Sequence, residues 1–339
     1  MNAPRMIMVA VLLASLCLAS GCGTQDRMLG ASGGLLFQGV DILTQPGEAT
    51  PLVVSLQGGD YLQGLEGYLV GFYLVDHQIG QCRTDDDGLA QITFTPDRAG
   101  QHVIIAKLED PDVRKYAVEG VEIVVAAHNP DQPMVIVDLD RTLVKSGFGD
   151  VLAGKAEPMA QSRNVMTRLA KDHAVVYLTH RPDMFTEQCK RWIRKFDYPL
   201  GPLLTSSLGE FIKGSGAYKS ARIEELKKTW PKIEIGIGDK ASDAAAYAAN
   251  GLTSILVLHP DLMKTPEDAR RWVRSLRELP ESVEAVESWD QVGRILFDKE
   301  HFPVAAAIER LTRLGSELEA EALGLTPPKA PAGGEGGAP

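Results

Sequence analysis

The 339-residue sequence predicts an all-β sandwich followed by an α/β domain built on a Rossmann-like parallel sheet. Three observations carry this. Met134–Val137, Ala174–Leu178 and Ile233–Gly238 are short apolar runs rich in Val and Ile, the pattern of strands buried on both faces. Segments of helical spacing separate them, Met159–Lys171 and the stretch from Lys219 to Leu226, as right-handed crossovers in a parallel sheet require. Before residue 128 the pattern changes to short strands and close turns, which suggest a sandwich of roughly 100 residues.

Taken in order, residues 1–21 read as a signal peptide, with Arg5 ahead of an apolar run from Met6 to Ala19 that is too short to span a bilayer comfortably. Leu18-Ala19-Ser20-Gly21-Cys22 resembles the lipobox of bacterial lipoproteins, with Ala19 where Leu is usual. The resemblance implies that Cys22 becomes the lipidated first residue of the mature chain; the alternative is plain cleavage without lipid. Gly23, in place of an Asp, points to the outer membrane, periplasmic face, in a Gram-negative cell. The expected location is the bacterial cell envelope, outside the cytoplasm. Residues 22–34 are small and polar and read as a tether. A net charge of −10 gives no bulk attraction to nucleic acid.

Residues 35–127 hold the strand candidates of the sandwich: 51–56, 68–75, 90–94, 102–108 and 121–125. The run Thr84 to Pro96 with Ala99-Gly100 resembles bacterial immunoglobulin-like domains of surface proteins, and the sandwich's partner is left open. Asp85-Asp86-Asp87-Gly88 reads as a hairpin turn, with a calcium loop as the alternative. Beyond the signal two cysteines remain, Cys82 and Cys189. Cys189 shares an apolar helix face with Phe185, Trp192 and Phe196, as a small buried hydrophobe would; pairing with Cys82 stays open.

Residues 128–133, with Pro130 and Pro133, read as a linker between independently folding parts, and residues 134–298 as the α/β domain. Its first strand ends in Asp138 and Asp140, the second in Thr179-His180-Arg181-Pro182, and the third in Asp239 followed by Asp243. Ligands bind at the carboxyl ends of such strands, and paired carboxylates there are costly to desolvate unless a cation or a reaction needs them. Only 36 residues separate Thr142 from Thr179, and 39 separate Thr179 from Lys219, which leaves no room for a large cap over the site. A strand at 254–258 continues the sheet, Thr265-Pro266-Glu267 starts a helix, and Val304, Ile308, Leu311, Leu314 and Leu318 make an apolar stripe within 299–325. Residues 326–339, rich in Pro, Gly and Ala, read as a disordered tail.

The ordered set Asp138, Asp140, Thr179, Lys219, Asp239, Asp243 resembles the four motifs of the haloacid dehalogenase (HAD)-like hydrolases. Tyr177–Met184, Trp192, Tyr198–Leu204 and Gly236–Asp239 narrow the resemblance to the lipin-type domain of phosphatidate phosphatases and of proteins carrying phosphatidylinositol-transfer modules. The departures are Arg141 where Gly is usual and Asp239 where lipins often have Asn. The resemblance implies a phosphatase that forms an aspartyl-phosphate on Asp138 and uses Asp140 as acid and base. Thr179 would then donate to the phosphoryl group and Lys219 neutralise it, with Arg222 as the alternative cation. Mg²⁺ would be held by Asp138, Asp239 and the Asp140 carbonyl. Thr142 would support the turn, Asp243 would serve either the metal's outer sphere or Lys219, and Arg181 either phosphate or an acidic neighbour. His180 reads as pocket wall or surface and Lys240 as solvent-facing. The implied substrate is a phosphate monoester, with phosphatidate or a related lipid phosphate favoured. The alternatives are a phospholipid-binding module without turnover, or a scaffold or adhesion protein acting through its sandwich.

The anchor gives a first test. Replacing Cys22 by Ser is expected to release the protein from membrane fractions or to block its processing. Unchanged partition together with unchanged mass would rule the anchor out.

Overall fold

A computed structural model describes residues 35–59, 62–111, 120–152, 154–212 and 214–325. The signal, anchor, tether and tail readings lie outside these residues. The N-terminal part is an immunoglobulin-like sandwich of β1 (Leu36–Gly39), β2 (Ile42–Thr44), β3 (Thr50–Gly58), β4 (Gln63–Gly64), β5 (Leu69–Leu74), β6 (His77–Arg83), β7 (Leu89–Phe94), β8 (Gly100–Leu108) and β9 (Val121–Ala127). One sheet holds β1, β3, β4 and β7; the other runs β2-β9-β8-β5-β6, antiparallel except for the β2–β9 pair. Alternate residues of β3 and β8, such as Leu52, Val54, Leu56 and Ile104, fill the space between the sheets. The Asp85–Gly88 run is a turn whose shape is set by Asp85. Its carboxylate accepts from the Asp87 and Leu89 amides, and Gly88 takes φ +77°, where an added Cβ would meet the Leu56 carbonyl at 2.2 Å.

The C-terminal part is a six-stranded parallel sheet: β10 (Met134–Val137), β11 (Ala174–Pro182), β12 (Leu203–Ser206), β13 (Ile233–Gly238), β14 (Thr253–Val257) and β15 (Glu284–Val286), in the order β12-β11-β10-β13-β14-β15. The chain runs outward from β10 in one direction, then returns to its other side at β13. The crevice between β10 and β13 is therefore the topological switch point. Between the strands lie α1 (Phe148–Leu152), α2 (Ser162–Leu169), α3 (Thr186–Lys195), α4 (Leu208–Phe211), α5 (Ser215–Thr229), α6 (Ala241–Ala249), α7 (Pro266–Arg277), α8 (Trp289–Asp298) and α9 (Val304–Ala322). Val135 and Val137 pack with α2, α3 and α8 on one face, Met134 and Ile136 with α5 and Tyr247 of α6 on the other. Both faces are covered, which is why the strands read as unbroken apolar runs. Helix α7 starts with the Thr265–Asp268 capping box, and α9 packs its Val304–Leu311 stripe on it. Among the described residues no helix is long and apolar enough to cross a membrane.

The two parts meet along β12 and α3. Asp41, between β1 and β2, is buried and sits 2.7 Å from the buried Lys190 ammonium on α3. Its carboxylate also accepts from the Val124 and Leu203 amides at 2.7 and 2.9 Å. Lys190 donates further to the carbonyls of Gly39 and Glu122, Gln38 donates to the Asp183 carbonyl, and the Trp230 indole donates to that of His128. The contact is thus far more than a flexible linker would make. Cys82 and Cys189 are both free thiols.

Breaking a buried pair leaves an uncompensated charge, so Asp41→Ala should cost about 3–5 kcal/mol. Asp41→Leu combined with Lys190→Met should recover much of that loss. Urea unfolding of the full-length protein measures both; an unperturbed midpoint for Asp41→Ala would show that the interface adds nothing to stability.

Candidate active site

Strand β10 ends at the switch point and delivers Asp138, whose amide continues the ladder by donating to Ile237 of β13 at 2.9 Å. On either side, β11 brings Thr179 and β13 brings Asp239, all buried. Helix α5 passes beneath and places Lys219, fully buried, between two carboxylates: 3.2 Å from Asp138 Oδ1 and 2.5 Å from Asp243 Oδ2. Ser215 Oγ, also on α5, donates to the other Asp243 oxygen at 2.9 Å. Asp243 sits in the first turn of α6, drawn close because Gly236 of β13 has no side chain. A Cβ there would meet the Tyr247 ring at 2.3 Å.

Of the alternatives left open by the sequence, Lys219 rather than Arg222 supplies the buried cation; Arg222 pairs with Glu225 at the helix surface. Asp243 serves Lys219. Arg181 pairs with an acidic neighbour: its Nε and Nη2 donate to the two oxygens of Asp140 at 2.8 and 2.6 Å, and its Nη1 donates to Cys189 Sγ at 2.9 Å. Cys189 is buried as expected, and it also closes this clamp. Thr142 is a buried turn residue whose carbonyl accepts from the Trp289 indole at 2.6 Å. Arg141 has φ +51°, in the left-handed region where glycine is unstrained, which accounts for the residue type usual there. His180 stacks on Phe211 with centroids 4.9 Å apart.

Burial raises the Asp138 carboxyl above the ordinary carboxylate range; Lys219 counters this, while Asp243 and Asp140 add to it. Burial alone would push the Lys219 ammonium down, but Asp138, Tyr247 and Asp243 hold it well above its usual value. Asp239 is pushed up to about 7 by burial and then by the charge of Asp138. Its Oδ1 is buried with no hydrogen-bond partner, which is costly unless something binds it. Oxygens of Asp138, Asp239 and Asp243 lie within 4.8 Å of one another, the one such acidic group among the described residues. With Asp243 committed to Lys219, Asp138 and Asp239 remain as donors, and an all-oxygen set fits Mg²⁺.

Residues missed from sequence complete the site. Ser215 gave no signal, being one serine among many, and Trp289 and His259 come from the distant C-terminal segments. The His259 ring donates through Nε2 to the Arg141 carbonyl at 2.6 Å, and burial lowers its pKa from the usual imidazole value.

The doubly wound sheet thus brings a buried carboxylate–lysine–carboxylate chain and an Asp with an unpartnered oxygen together at its switch point. Residues 135–257 match the family model described as PITM 1-3, LNS2 domain. No curated protein matches the sequence. Among solved structures, a HAD-like phosphatase candidate from Mesorhizobium loti is 15% identical, with a TM-score of 0.37, covering 55% of this chain and 91% of that one. A chain of the Pnkp1/Rnl/Hen1 RNA repair complex is 18% identical, with a TM-score of 0.34, covering 39% and 44%. The D00-D0 domain of Intimin is 17% identical, with a TM-score of 0.23, covering 29% and 49%. This chain therefore spans less than half the length of the latter two. The likenesses are partial, and the chemistry follows from the site's own geometry.

The raised pKa of Asp239 sets a pH dependence. A carboxyl whose folded pKa exceeds its unfolded value favours folding while protonated, and that contribution is lost as pH rises from about 4 through about 7. In chelator, thermal stability should therefore fall across this window, and added Mg²⁺ should restore it most strongly above about pH 7. A melting temperature with the same Mg²⁺ response at pH 5 and pH 8 would remove Asp239 as a cation ligand.

Proposed function

We propose that this protein is a Mg²⁺-dependent hydrolase of phosphate monoesters, held at a bacterial envelope membrane through Cys22. Lipid phosphates, phosphatidate among them, are its proposed substrate class. The observation that carries the reading is the switch-point crevice itself. Asp138 and Asp239 leave a buried, unpartnered oxygen facing a cation site, and the charged Lys219 stands 3.2 Å from Asp138. An open mouth without a large cap suits a substrate presented at a lipid surface.

In this reading an Asp138 oxygen attacks phosphorus, and the bond from phosphorus to the alcohol oxygen breaks as the aspartyl-phosphate forms. Asp140 gives its proton to that departing oxygen. It then takes one from the water that attacks the intermediate and releases phosphate. Thr179 donates to a phosphoryl oxygen, and Lys219 offsets charge on the phosphoryl group and on Asp138. Asp138, Asp239 and the Asp140 carbonyl would hold Mg²⁺, whose contribution is to neutralise the phosphoryl oxygens.

One observation favours a second reading. Both oxygens of Asp140 accept from Arg181, a bidentate arrangement that occupies both of them. An acid so held must leave the clamp to carry a proton in the first half-reaction. A protein in which it never leaves would bind phospholipid without turning it over.

Asp138→Asn is expected to reduce turnover to background. Asp140→Asn should cost about 10²–10⁴-fold on an alkyl phosphate and less on an aryl phosphate, whose leaving group needs little protonation. Hydrolysis of a monoester panel including phosphatidate, with Mg²⁺ and with chelator, checks both. Identical background rates for wild type and both variants under every condition would leave the binding reading standing.

A further inference from the structure

We propose that the cleft beside Asp239 is a subsite for a second anionic group on the leaving group of the substrate, a deeper reading that rests on the phosphomonoesterase assignment above. The cleft, of about 410 Å³, is bounded by Asp239, Arg141, Lys240, His259, Leu262 and Trp272. That volume is within the range of small-ligand pockets. It is continuous with the reaction centre, because Asp239 belongs to both. A leaving group departing from phosphorus held over Asp138 and Asp239 has this space beside it.

Apart from Asp239, which belongs to the reaction centre, the unpaired charges of the cleft are positive. A third cation in the cleft, Arg271, is paired with Asp268. Arg141 and Lys240 are exposed and form no ion pair among the described residues. Lys240 is close enough to the centre to lower the pKa of both Asp138 and Asp239. Arg141 stands on a backbone that a glycine would adopt without strain, at φ +51°, and its carbonyl is pinned by His259. An arginine at the mouth of the cleft thus carries the cost of a left-handed backbone. Guanidinium and ammonium together recognise phosphate or carboxylate, and Trp272 with Leu262 offers an apolar wall to the body that carries it. The leaving group of phosphatidate has no such anion. A glycerophosphodiester, a sugar phosphate or a hydroxy acid does, and the shared chemistry can come from a lipid or from a soluble ester.

The test compares kcat/KM within two pairs: glucose 1,6-bisphosphate against glucose 6-phosphate, and phosphatidylglycerol phosphate against phosphatidate in mixed micelles. Wild type should prefer the bis-anionic member of at least one pair by about tenfold or more, the scale of one charge-assisted contact. The Arg141→Gln, Lys240→Gln double variant should bring that ratio close to unity, Arg141→Lys should retain it, and Arg270→Gln, on the outer face of α7, should not change it. Preference in the lipid pair alone identifies a lipid headgroup as the source, and preference in the sugar pair alone a soluble ester. If nothing is hydrolysed, the hydrolase reading fails by itself. Calorimetric titration of wild type and the double variant with the two glucose phosphates then decides the subsite by the same ratio of affinities. Equal treatment of both members in both pairs, or a preference that survives in the double variant, overturns the proposal.

Discussion

A fully buried lysine ammonium is among the most expensive groups to remove from water, and Lys219 is tolerable only because two carboxylates reach it. Those carboxylates come from different elements: Asp138 from the end of β10 and Asp243 from α6, with Lys219 itself on α5. The pairing therefore ties two helices to the central strand at the point where the sheet changes direction. Asp239 adds a third carboxylate, and burial together with the charge of Asp138 raises its pKa to about 7. A divalent cation would offset this crowding of carboxylates, and the partnerless Asp239 oxygen marks where it would bind. In the proposed reading, fold stability and readiness for an anionic substrate rest on the same few charges.

The same electrostatic logic recurs at the junction of the two parts. Asp41 and Lys190 are removed from solvent together, and backbone amides and carbonyls from both sides complete their hydrogen bonding. Lys190 lies on α3, directly after the end of β11 that carries Thr179 and Arg181, and Gln38 of the sandwich holds the Asp183 carbonyl in the intervening turn. The sandwich is in this way part of the scaffold on which one wall of the site is built.

Asp140 shows how a motif residue can be present while its partner comes from elsewhere in the chain. Its spacing from Asp138 suits an acid and base. Arg181, forty-one positions away, supplies two parallel hydrogen bonds that occupy both of its oxygens, and Cys189 fixes the third guanidinium nitrogen. The proposed reaction needs that clamp to open before Asp140 can pass a proton to the departing oxygen, so the Asp140–Arg181 pair is where the turnover and binding readings diverge.

The sequence by itself determined the class of each part, because burial on both faces writes unbroken Val and Ile runs into a parallel sheet, and strand ends expose their chemistry in register. Asp138, Thr179 and Asp239 stand at such ends, whereas Lys219 and Asp243 lie on helices and were picked out by the order and spacing of the whole set. The helix start at Thr265 and the apolar stripe of α9 were legible too. Strands β1, β2 and β15 are only three or four residues long and leave too little periodicity to read, and β6 is mostly polar and exposed, held by its pairing with β5. Tertiary structure alone decided the partners: Arg181 for Asp140, Lys190 for Asp41, Ser215 for Asp243 and His259 for the Arg141 carbonyl. Each joins residues far apart in the chain, and a hydrogen bond between distant side chains has no period or spacing by which a sequence can announce it.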